Sequence, residues 1–184
     1  MKNNIIFYFV EGECEDHFIK HAGLMGRIIK LDLSERSEAQ ISKLLTNLPR
    51  NKKQMFLNIV FDTDVLLNDK AKLERFIANI CFLNKRGYVV KLLQQHRTFE
   101  EELSHCLKAN KQKLFDKFNA RNDREFKQKF ISDKKPYTKL LEINPDFLFW
   151  SSENISELDE FQSLVCKFSL LIKKPLTSNV NKAP

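Results

Sequence analysis

The sequence predicts an α/β fold: a mainly parallel four-stranded sheet with flanking helices, followed by a helical C-terminal extension. Three observations lead there. Apolar runs rich in β-branched and aromatic residues alternate with segments of helical periodicity over residues 1–95, the pattern of βαβ units. The runs are continuous rather than alternating with polar residues, as suits strands covered on both faces. Only four glycines stand among 184 residues, too few for an all-β fold full of tight turns.

Taken in order, Ile5 to Val10 (Ile-Ile-Phe-Tyr-Phe-Val) reads as the first strand, ending at Glu11-Gly12. Glu13-Cys14-Glu15-Asp16 then opens a helix to about Ala22, because acids at a helix start suit its macrodipole. Gly23 and Gly26 mark its end, and Arg27 to Leu31 forms a second short strand. Ser34 or Ser37 caps a helix that runs to about Leu48, before Pro49. Gln54 to Phe61 is the third strand and ends in Asp62-Thr63-Asp64. From Asp69 to Lys85, Leu73, Phe76, Ile77, Ile80 and Leu83 make a helical stripe closed by Gly87. Tyr88 to Leu93 is the fourth strand, and Thr98 caps a helix over Phe99 to Ala109.

Beyond this point the character changes. Residues 108–135 carry ten Lys/Arg against four acids. This excess of six is nearly all of the chain's net charge of +7. Phenylalanines 115/118 and 126/130 sit at i+3 and i+4 spacing and give each helix one apolar face. Pro136 and Pro145 read as breaks, Asp146 to Trp150 as a short edge strand, and Ile155 to Ile172 as a closing helix. The expected organisation is a core over 1–107, a basic helical extension packed on it over 108–173, and a loose tail over 174–184. Cys14, Cys81, Cys106 and Cys166 form no Cys-x-x-Cys pair. The opening apolar run is too short for a signal peptide, and no run approaches the ~18 apolar residues of a membrane span. The expectation is a cytoplasmic protein with reduced thiols and no membrane association. Oligomeric state stays open.

The residues that carry chemistry cluster after strands. If strand alternation continues through Asp62-Thr63-Asp64, both aspartates project from one side of the third strand's carboxyl end. Carboxylates that close repel unless a cation or a shared proton lies between them. If strands one and three are neighbours, Glu11 joins them in the crevice outside the carboxyl ends of a doubly wound sheet. Oxygen ligands in that number suit Mg²⁺, with Mn²⁺ as an alternative. Plainer readings exist for each residue. Aspartate commonly ends strands in turns, Glu15 is also a helix-start acid, and Glu100, Glu101 and Glu102 form a solvated first turn. His17 and His21, at i, i+4 near Cys14, have zinc-like spacing but lack an evident fourth ligand. His105 reads as ordinary packing.

Phe9-Val10-Glu11-Gly12-x-x-Glu15, followed about fifty residues later by Val60-Phe61-Asp62-Thr63-Asp64, resembles the Toprim domain. That family includes topoisomerases, primases, small RNA-maturing nucleases, and nucleases of the OLD and RloB-like defence families. Arg97-Thr98-Phe99-Glu100 resembles the Phe-Glu segment after the fourth strand of the OLD and RloB-like proteins. The resemblance covers residues 4–105 and implies a Toprim-like, Rossmann-like core. It implies that Asp62 and Asp64 hold Mg²⁺ and that Glu11 is a ligand or the general acid/base. Glu15 and Glu100 would complete a second position. The implied activity is Mg²⁺-dependent phosphodiester hydrolysis of DNA or RNA, in bacterial defence or a mobile element. Arg97, Lys111, Lys117, Arg121, Arg124 and Lys127 would contact the phosphate backbone. The chain has no Gly-x-x-x-x-Gly-Lys motif, so any ATPase would be a separate partner chain. Two other readings remain open: a non-catalytic nucleic-acid-binding or regulatory subunit acting with such an ATPase, and a phosphohydrolase of small phosphoesters.

Overall fold

The computed structural model describes residues 4–48, 54–150 and 155–165. Four strands form one sheet: β1 (Ile5–Val10), β2 (Arg27–Lys30), β3 (Met55–Asp62) and β4 (Val89–Gln95). Their order is β2-β1-β3-β4, and every pairing is parallel. The connecting helices are α1 (Glu13–His21), α2 (Glu38–Thr46), α3 (Thr63–Asn68) and α4 (Lys70–Lys85). After β4 come α5 (Phe99–Leu107), α6 (Lys111–Lys117), α7 (Asp123–Ser132), α8 (Pro136–Ile143) and a 3₁₀ helix over Ser156–Leu164. The expected α/β class and four-stranded sheet are found. No helix among the described residues is long and apolar enough to cross a membrane.

Strand alternation sorts the core into two layers. Tyr8, Val10, Val60 and Leu93 face a layer built from α1, α5, α6, α7 and α8. Phe7, Phe9, Leu57, Ile59, Phe61, Val90 and Leu92 face the other, covered by α2, α3, α4 and the 3₁₀ helix. The phenylalanines of the basic segment, at 115, 118, 126 and 130, join the first layer's core. By the same period of two, Asp62 falls on the side of Val60, and Gln95 on the side of Leu93.

Local signals explain the boundaries. Ser37 caps α2 in a reciprocal capping box with Gln40. Asp69, Thr98, Asn110 and Asn122 each accept from a backbone N–H in the first turn of α4, α5, α6 and α7.

Four expectations are corrected. The third strand ends at Asp62 and turns at once into α3, so Asp64 is helical and does not share Asp62's strand face. Pro136 does not break the chain but opens α8, where its missing N–H costs nothing. Residues 146–150 form no strand. Phe147, Phe149 and Trp150 instead plug the first layer, with Trp150 in the left-handed region at φ 53°. The closing helix is 3₁₀ rather than α, and Leu158, Phe161 and Leu164 pack on the second layer. Their i, i+3 spacing matches the three-residue turn of a 3₁₀ helix. Val165 then forms a parallel bridge to Leu92. The remainder of that predicted helix and the 174–184 tail lie outside the described residues.

Candidate functional site: an acidic cavity at the switch point

Strand order reverses between β1 and β3: the chain leaves β1 towards β2 on one side, and β3 towards β4 on the other. In a doubly wound sheet the crevice at the strands' carboxyl ends opens at such a point. Glu11 follows the last residue of β1, and Asp62 closes β3. The register Phe9↔Ile59 brings them together, and Asp62 N–H donates to Glu11 Oε1 at 3.4 Å.

Two helices add carboxylates. Glu15 sits in the first turn of α1 and Glu100 in the first turn of α5. They are only 4% and 2% exposed. Gly12 makes room for Glu15, since a Cβ on Gly12 would lie 2.8 Å from Glu15 Oε2. Gln95 ends β4 beside them. With its amide nitrogen towards the acids, it donates to Asp62 Oδ1 at 2.6 Å and Glu15 Oε1 at 3.3 Å. Lys127 arrives from α7, with Nζ 3.4 Å from Glu100 Oε1. Glu11, Gly12, Glu15, Asp62, Phe99 and Lys127 are among the residues lining a cavity of about 370 Å³.

Crowding of like charges under burial sets the protonation. Burial first, then Asp32, pushes the Glu11 carboxyl up to about 8, although the Asp62 N–H bond pulls the other way. Asp62 is pushed up to about 9 by burial, then by Glu11, Glu15, Asp64 and Glu100. Burial also raises Glu15. Lys127 goes up as well: burial alone would lower it, but the charge of Glu100 and the hydrogen bond to it outweigh burial. Without a bound cation the cavity therefore holds protons at neutral pH.

Of the residues singled out from sequence, Glu11, Glu15, Asp62, Glu100 and Lys127 converge here. Asp64 does not line the cavity. Its Oδ1 accepts from Val65 N–H at 2.7 Å, and its own N–H donates to the Arg97 carbonyl at 3.4 Å. It remains near enough for its charge to raise both Glu11 and Asp62. Among the three consecutive glutamates, Glu100 is buried and meets Lys127, which lines the cavity. Glu102 accepts from His96 N–H at 2.8 Å and from Cys106 Sγ at 3.0 Å. Glu101 faces Arg97 and Lys111. Arg97 is exposed and left-handed, at φ 59°. Its N–H donates to Thr63 Oγ1 at 2.8 Å, and that hydroxyl donates to the Gln95 carbonyl at 3.1 Å.

The basic segment is less free than its composition suggests. Lys111 pairs with Glu101 and Asp123, and Lys117 pairs with Glu142. Arg121 and Arg124 are exposed. His17 and His21 lie with ring centroids 4.3 Å apart, and His17 Nε2 is 2.8 Å from the Asp133 carbonyl. His17 thus ties α1 to the end of α7.

Sequence reasoning missed Gln95 and Asp32. Both had a signal: a polar residue closing or just following an apolar strand, as Glu11 and Asp62 do. Asp32 is held in a turn by the Ser34 N–H and hydroxyl, each at 2.7 Å from its Oδ1.

The donor chemistry suits a hard dication, being buried carboxylate oxygen of which two atoms, Glu15 Oε2 and Glu100 Oε1, have no hydrogen-bond partner. Among the described residues, however, no three His, Cys, Asp or Glu side chains are grouped as a ready ligand set. No family model, curated protein or solved structure matches this chain.

Proposed function

We propose that the chain is a Toprim-like nuclease that hydrolyses phosphodiester bonds of DNA or RNA with Mg²⁺ or Mn²⁺. The observation carrying this reading is the convergence of Glu11 and Asp62 at the switch point, with Glu15 and Glu100 brought in by two helix starts. Glu11 and Asp62 would hold the ion, with Asp64 contributing charge from α3. When bound, a divalent ion offsets the carboxylates' repulsion and the charge that develops on a phosphoryl group in transfer. Should Glu11 not bind the ion, its carboxyl, pushed up to about 8 in the ion-free cavity, would instead move a proton at the scissile phosphate. Gln95 keeps Asp62 and Glu15 together by donating to both. The exposed Arg121 and Arg124, with Arg97 at the β4–α5 turn, would grip phosphates without reading sequence. In this reading the protein works in the cytoplasm, in defence or a mobile element, and any ATPase is a partner chain.

The test is a cleavage assay on DNA and RNA with Mg²⁺ or Mn²⁺. Asp62→Ala and Glu11→Gln should each lose at least about 100-fold, the scale on which single catalytic groups act. Equal activity in both variants and the parent chain would discard the site.

One observation favours a second reading. Lys127 already supplies a positive charge to Glu100, as in a site that has settled without an ion and serves a non-catalytic, nucleic-acid-binding subunit. Calorimetry showing no Mg²⁺ or Mn²⁺ uptake, with nucleic-acid binding intact, would select it.

A further inference from the structure

Four carboxylates at and beside the cavity fall into two pairs. Glu11 and Asp62 meet across the β1–β3 seam. Glu15 and Glu100 stand on the helix side, both nearly fully buried, and each raises the cost of ionising its surroundings. In the second pair two buried oxygens, Glu15 Oε2 and Glu100 Oε1, have no hydrogen-bond partner, and Glu15 lines the cavity. Lys127 is the cation that reaches this pair. Its ammonium lies 3.4 Å from Glu100 Oε1, and its chain comes from α7, which α1 holds through the His17 contact at Asp133. A lysine fixed this way delivers a single positive charge at the end of an apolar stem.

We propose that Lys127 is the resident cation of the Glu15–Glu100 position, so that the cavity accepts one divalent ion at Glu11–Asp62 and not two. Lys127 is then a specificity-determining residue for metal stoichiometry. This rests on the metal-dependent reading above. Two-ion sites place their ions ~3.5–4 Å apart and need carboxylates for both. Here the second set is present, but an ammonium takes the place of its ion. Removing that ammonium leaves Glu15, which lines the cavity, and the buried Glu100 without a cation between them.

The experiment is calorimetric titration of the full chain with Mn²⁺, comparing the parent with Lys127→Met and Lys127→Arg. One site is expected in the parent, two in Lys127→Met, and one again in Lys127→Arg, which keeps the charge. Thermal midpoints read the same exchange independently. Ion-free Lys127→Met should melt below the parent and recover more than the parent does when Mn²⁺ is added. Two sites in the parent, or one in Lys127→Met, overturns the proposal and leaves the metal-dependent reading standing. No Mn²⁺ uptake by parent or variants overturns both. Should Lys127→Met not fold, Lys127→Gln gives the same comparison with a smaller loss of polarity.

Discussion

The two faces of the sheet differ in the polar groups they bury. On the face covered by α2, α3, α4 and the 3₁₀ helix, buried polar side chains are neutral and bind loops. Asn79 donates to the Leu33 and Arg36 carbonyls at 2.7 and 2.8 Å, and Gln94 accepts from Ile155 N–H at 3.1 Å. On the face covered by α1 and α5–α8, the carboxylates Glu15, Glu100 and Glu102 are buried alongside Asn58 and Gln95, and Glu15 and Glu100 crowd Asp62. Both faces have phenylalanine-rich cores, so packing does not require this difference. Buried like charges without partners are costly, and their concentration at one strand edge marks a candidate functional site.

Core truncation should show the faces equal in packing and unequal in function. Phe126→Ala and Phe76→Ala, at positions 0% and 1% exposed, should each cost about 3–5 kcal/mol by denaturant unfolding. Phe126 lies beside Lys127 on α7, so only Phe126→Ala should also alter Mn²⁺ uptake. Equal effects on uptake would remove the functional contrast.

Protonation comes next. Glu11 and Asp62 bind their protons more tightly in the folded chain, at about 8 and about 9, than their ordinary values allow. Their contribution to stability is therefore full below about pH 4 and is lost as pH rises through 8 to 9. In EDTA, denaturation midpoints should fall across that window. Glu11→Gln should flatten the fall and raise stability at pH 9 by on the order of 1–3 kcal/mol. Glu35, on the other face, is held below its ordinary range by the hydrogen bond and charge of Lys72. Its contribution has the opposite sign, present near neutrality and lost in acid.

Smaller changes separate the strand–helix turn from the scaffold. Gly12→Ala places a Cβ 2.8 Å from Glu15 Oε2, so the carboxylate must shift. A loss of about 1–2 kcal/mol is expected on the scale of overpacking, together with weaker Mn²⁺ binding by calorimetry. Ser37→Ala removes the α2 cap and should cost about 1 kcal/mol while leaving Mn²⁺ binding unchanged.

Much of this was legible in the residues. The four strands announce themselves as apolar runs, and Glu11 and Asp62 are found because they stand where such runs stop. Adjacency of β1 and β3 stands in the sequence only as a condition, which the sheet order meets. The failures have physical causes. Asp62-Thr63-Asp64 has the spacing of a strand, but the chain changes to a helix at Thr63, and six residues with no apolar periodicity give no warning. Pro136 carries the same letter whether it breaks a helix or starts one. The role of Lys127 depends on how α7 docks against α1, which no local pattern encodes. Composition counts it among surface cations, and it stays half-exposed, with its ammonium turned towards Glu100.

The pairing of β1 with β3 also governs when the site comes into being. Glu11 and Asp62 are 51 residues apart in the chain, and the contact between them exists only once the central strands have joined across that distance. Non-local closures of this kind come at an entropic cost before contacts reward them. Repulsion among the acids is thus absent from the early chain and arises only as the sheet closes. A proton or a cation that relieves it acts on nearly native species, and so on how slowly the finished protein comes apart rather than on how its first strands find each other.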